Sequence, residues 1–171
     1  MPASLLLLLT LAQTPTPLTL DNPGPTPRKP GRVTVWQREF PMSADSVALV
    51  MSGWQGPSRV KKLSAEPKLV SKVLTQLWDP ATRRALQIGF VTFDRVNTEI
   101  ELAWKDGRLT ATAVCDFEGF ALAPGARVTT ERLEIRESGD PVASLHDWAA
   151  AVAKHYQPRL PAATPTGWVG W

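Results

Sequence analysis

Apolar and polar positions alternate most clearly over residues 98–117, "TEIELAWKDGRLTATAVCDF". At its centre, Asp106-Gly107 predicts a two-residue type I′ turn, because both central positions of that turn need positive φ. Pairing Lys105 with Arg108 sets Trp104 opposite Leu109, Leu102 opposite Ala111, Ile100 opposite Ala113 and Thr98 opposite Cys115. One face of the hairpin is then apolar, while Glu99, Glu101, Thr110 and Thr112 line the other. A slip of one residue would mix the two faces, so the register is well specified. Cys115 falls on the apolar side, where a thiol is buried and inert. Ala111 and Ala113 leave room on that side for a helix to lie close.

Further strands are predicted at 32–40 ("RVTVWQREF"), 85–93 ("ALQIGFVTF") and 127–137 ("RVTTERLEIRE"), the last with a bulge near Thr130. Residues 43–52 admit two readings, a short helix capped by Ser43 or a strand, and the short apolar run favours the strand. Over 64–78 the pattern is helical: Ser64 is placed to cap, and Leu69, Val70, Val73, Leu74, Leu77 and Trp78 form one stripe before Asp79-Pro80 stops it. The segment "LHDWAAAVAKHY" (145–156) predicts a closing helix that buries Leu145, Trp148, Ala149, Val152 and Tyr156. The expected fold is α+β, a curved antiparallel sheet of five to six strands with two main helices on one face, one of them C-terminal. With a helix at 43–52, this element order resembles the helix-grip (START-like) arrangement. That resemblance implies an apolar ligand space between the sheet and the last helix.

The two ends of the chain read differently. Residues 1–12, "MPASLLLLLTLA", have the short leucine run and small final residue of a secretory signal peptide, although no Lys or Arg precedes the leucines. The run is well short of the ~20 residues that span a bilayer, so no integral membrane segment is expected in the exported chain. No cysteine follows to carry a lipid anchor. Residues 13–31, with prolines at 15, 17, 23, 25, 27 and 30, read as a linker, 32–157 as a single globular domain, and 158–171 as a tail containing proline and tryptophan.

Composition narrows the chemistry. The single Cys115 and two histidines exclude an intramolecular disulfide and a Cys/His zinc site. His146 and His155, nine residues apart, flank the closing helix's apolar stripe on opposite sides and cannot share a metal or substrate atom. The pair Asp116 and Glu118 reads as a solvated strand end, and no nucleophile elbow, zinc-protease motif or phosphate-binding loop is present. An enzyme is therefore not the favoured reading, and neither a metal nor a cofactor is expected.

The net charge of +3 is unevenly spread. Residues 59–84 carry seven basic side chains against two acidic ones, whereas 94–140 carry six against ten. Lys61 and Lys62, just before the predicted first helix, and Lys68 and Lys72 within it form a basic side, a candidate contact for a protein or an anionic polymer. Without a nucleic-acid motif, nucleic acid is not the expected partner. Of seven tryptophans, Trp36, Trp78, Trp104 and Trp148 are expected at the core or its edge, and Trp54, Trp168 and Trp171 are candidate binding residues in a turn and the tail. Two functions fit: an exported or envelope-associated interaction module, and a carrier of a small apolar ligand beneath the last helix.

Overall fold

The computed structural model describes residues 12–53 and 56–159. The leucine run up to Leu11, Trp54, Trp168 and Trp171 lie outside the described residues. In chain order the strands are β1 (Ala12–Gln13), β2 (Thr19–Asp21), β3 (Arg32–Pro41), β4 (Val47–Met51), β5 (Ser58–Lys62) and β6 (Lys68–Lys72). They continue with β7 (Leu74–Asp79), β8 (Arg84–Phe90), β9 (Asn97–Lys105), β10 (Arg108–Asp116), β11 (Arg127–Thr129) and β12 (Leu133–Ser138). A single helix, α1 (Pro141–Tyr156), follows.

The strands form a six-stranded sheet of order β1-β12-β8-β7-β4-β5, a four-stranded sheet of order β3-β10-β9-β6, and a small ladder of β11 with β2. The expectation of one curved sheet carrying two main helices is overturned: the described chain is mostly strand, in three sheets, with one helix. The inner faces of the two large sheets share one apolar cluster. Ala48, Leu77, Ile88, Phe90, Leu133 and Ile135 come from one side and Leu69, Ile100, Leu102, Leu109, Ala111, Ala113 and Cys115 from the other. Ala111 and Ala113 thus face the second sheet where a helix had been expected.

The β9–β10 hairpin has the register its sequence specifies, Lys105 opposite Arg108 through Thr98 opposite Cys115, with Asp106 and Gly107 both at positive φ. Cys115 is fully buried, and that burial pushes its thiol up to about 11. Residues 43–52 give a strand, β4, rather than a helix.

The predicted helix over 64–78 is instead a turn and two strands. Leu69 and Ser71 of β6 point inward as part of the four-stranded sheet. At Val73 the backbone takes φ 68°, a conformation strongly disfavoured for a β-branched residue, and the chain leaves for the six-stranded sheet as β7. Both sheets hold this corner: the Val73 amide donates to Thr98 O at 3.4 Å, and its carbonyl accepts from Phe90 N at 2.8 Å. Ser71 Oγ adds a bond to Leu74 O and accepts from Met51 N.

Helix α1 lies on the outer face of the six-stranded sheet, over β8 and β12. Asp140 caps it by accepting from Val142 N (2.9 Å) and Ala143 N (3.1 Å), Pro141 opens it, and Gln157 ends it in the left-handed region. It is seated through Ser144, Trp148, Ala151 and Val152, so its contact face is turned from the expected stripe, and Leu145 and Tyr156 are 36% and 40% exposed. Polar groups do much of the seating. Gln76 Nε2 donates to Pro141 O, Gln87 Nε2 to Ser144 O, and Trp148 Nε1 to Phe90 O. No helix among the described residues is long and apolar enough to cross a membrane.

Candidate interaction surface

β5 and β6 follow one another in the chain, and each is the last strand of its own sheet. Among the described residues, each therefore presents one edge without a neighbouring strand. The phase of the ladders decides which backbone groups face outward. Leu63 N donates to Ser46 O, so in the β4–β5 register residues 59 and 61 bond inward and the backbone of Val60 faces the free edge. In the same way, Trp104 N donating to Pro67 O and Val73 N donating to Thr98 O leave the backbone of Val70 facing outward from β6. Val60 and Val70 are also the exposed apolar side chains of these edges, at 67% and 50%.

The basic residues singled out from the sequence surround those valines, on strand edges rather than on a helix. Lys61 pairs with Glu66 (2.5 Å), Lys62 with Asp45 (2.7 Å) and Lys72 with Glu99. Arg59 and Lys68 make no ion pair among the described residues. The Lys72 ammonium holds Glu99 below the usual carboxylate range, with help from Arg32 and against the opposing effect of burial. Exposed pairs of this kind are worth at most about 1 kcal/mol each, so Lys61 and Lys62 remain exchangeable toward a stronger partner. Lysines on edge strands also keep such edges from pairing with one another. Trp54, Trp168 and Trp171, the other candidate binding residues, fall outside the described residues.

The remaining polar groups sort by what holds them. Asp116 pairs with Arg32 at 3.0 Å and caps Glu118 N, while Glu118 accepts from Asn97 Nδ2. Both carboxylates are thus engaged in loop and sheet contacts. His155 Nε2 lies 3.4 Å from Asp94 Oδ2, and His146 is exposed. Among the described residues, no group of three or more His, Cys, Asp and Glu is placed to hold a metal ion.

Three features escaped the sequence reading. Glu131, 1% exposed, accepts from Thr92 Oγ1, Arg95 N and Val96 N, and so ties the 92–96 connection to the segment before β12. Asp79 closes the β7–β8 hairpin beside a crevice of about 130 Å³ lined by Phe40, Met42, Leu86, Arg84 and Glu137. A larger groove of about 710 Å³ runs between α1 and the outward face of the β12 region, lined by Arg132, Glu134, Arg136, Asp147, Lys154 and His155. The period-two pattern of "ERLEIRE" placed Arg132, Glu134 and Arg136 on one face, but only the packing of α1 makes that face the wall of a groove. No protein-family model matches this sequence, and no curated protein is significantly similar to it.

Proposed function

We propose that this chain is an exported, non-enzymatic interaction module that captures an acidic, extended polypeptide along the free edges of β5 and β6. The observation that carries this reading is the pairing of outward-facing backbone at Val60 and Val70 with a surround of Arg59, Lys61, Lys62, Lys68 and Lys72. A free strand edge recognises polypeptide backbone, which a polysaccharide or lipid does not offer, and the cations select for acidic side chains. The apolar-carrier alternative draws less support. Trp148 is packed against Gly89 where such a ligand would lie, and the groove of about 710 Å³ beside α1 is walled mostly by charged side chains.

Binding of fluorescent poly-L-glutamate at low and high salt tests the contact. The wild-type chain binds and weakens as salt rises; Arg59→Glu with Lys68→Glu, or Val60→Pro, which deletes an outward N–H and leaves the β4–β5 ladder intact, lowers affinity about tenfold or more. Absence of binding at low salt, or full affinity in both folded variants, sinks the reading. Export is tested by the intact mass of the secreted chain: a start at Gln13 supports it and retention of Met1 overturns it.

A further inference from the structure

We infer that the groove between α1 and the β12 region, on the side of the six-stranded sheet away from β5, binds a small phosphate monoester through Arg132 and Lys154, with Arg136 as a positioning residue.

The cations of the groove are not all spent within the fold. Arg132 makes no side-chain hydrogen bond or ion pair among the described residues, and its buried Nε has no partner. Lys154, across the groove on the last turn of α1, is likewise without an ion pair among the described residues. Arg136 is held in place from both sides, with Nη2 donating to Glu134 at 3.0 Å and Nη1 to Asp147 at 3.2 Å, yet its own buried Nε also lacks a partner. Buried donors are almost always satisfied by protein, by water or by a ligand, and Arg132, just before β12, and Arg136, on it, each keep a buried N–H without a protein acceptor.

The acidic residues of the groove do not oppose this assignment. Glu134 and Asp147 both pair with Arg136, which leaves one negative charge there against the two positive charges of Arg132 and Lys154, so the groove stays net positive and an incoming anion meets Arg132 and Lys154 as its unpaired cations. A guanidinium fork with all its donors free and a separate ammonium suit a compact dianion rather than a single carboxylate, and a phosphate monoester carries close to two charges at neutral pH. Ala150 and Ala151 line the helix side, leaving space for the organic part, and a volume of about 710 Å³ is that of a small-molecule site.

Calorimetric titration of the full chain with glycerol 3-phosphate, inorganic phosphate and succinate tests the site, with vesicles of phosphatidylcholine containing phosphatidic acid as a further arm. Glycerol 3-phosphate is expected to bind, more tightly than succinate, and Arg132→Gln or Lys154→Gln to weaken it about tenfold. Arg59→Gln, on β5, leaves this affinity unchanged, which separates the site from the β5–β6 edge. Binding to the phosphatidic acid vesicles that is lost in Arg132→Gln, with no binding of the soluble ester, assigns the same site to a lipid phosphate. Lys154 is exposed and its variant keeps the fold, so the test survives if Arg132→Gln is unstable. No binding by any phosphate probe, equal binding of succinate, or undiminished binding in Lys154→Gln overturns the inference.

Discussion

Gly89 shows how one residue sets the position of the whole helix. A Cβ there would stand 2.7 Å from Trp148 Nε1 and 2.8 Å from Leu74 Cδ1, closer than carbon atoms are found. Gly89→Ala therefore forces Trp148 off its bond to Phe90 O and is expected to cost about 1–3 kcal/mol, read as a lower thermal midpoint with a weaker near-ultraviolet tryptophan signal. Asp79 makes a second single-residue case. Burial works against its charge, but donation from Ser43 and Thr82 hydroxyls, the Ala81 amide and the Ser46 hydroxyl outweighs it and holds the carboxyl below its ordinary value of 3.8. A depressed folded-state pKa contributes stability that is complete above the unfolded value and disappears as pH falls through the folded one. Asp79→Ala is accordingly expected to be about 1–3 kcal/mol less stable than wild type at neutral pH, with the gap closing below about pH 3.8 in denaturant melts. A gap that stays constant into strong acid would contradict the assignment.

At the scale of elements, α1 depends on its ends and on two glutamines more than on its apolar stripe. Removing the cap with Asp140→Ala leaves the amides of Val142 and Ala143 without their acceptor and is expected to cost about 1 kcal/mol, with faster amide exchange confined to the first turn of α1. The 64–78 segment teaches the reverse lesson about apolar spacing. Leu69, Val70, Val73, Leu74, Leu77 and Trp78 fit one helical stripe, yet the same residues serve two strands once the Val73 corner changes which face points inward. β-Branched Val70, Val73 and Thr75 and the early Pro67 already weakened the helix, and the waiting edges of β9 and β4 decided the matter.

For the whole molecule, the stretch before β3 is fastened to the distant 117–132 connection. Besides the β2–β11 ladder, Leu18 N and O both bond Thr130, and buried Asn22 donates to Leu122 O and Thr26 O. A chain shortened to begin at Arg32 is expected to lose these bonds, leave Leu122 and Val128 more exposed, and melt several degrees lower in a calorimetric scan. An unchanged midpoint would show that the 18–31 stretch contributes little to stability.

What the sequence determined by itself was local: the β9–β10 register from Asp106-Gly107 and its alternation, the burial of Cys115 that follows from it, and the presence of a closing helix over 145–156. Those features rest on turn chemistry and on neighbours in the chain, which a single segment specifies. Tertiary structure alone decided that 64–79 would be a turn and two strands, that α1 would sit on Ser144 and Trp148, and that Lys61 to Lys72 would mark strand edges. It also decided that Arg132 and Lys154, 22 positions apart in the numbering, would share a groove. Each of these depends on which backbone donors and which packing face a distant element offers, and residue spacing carries no information about that.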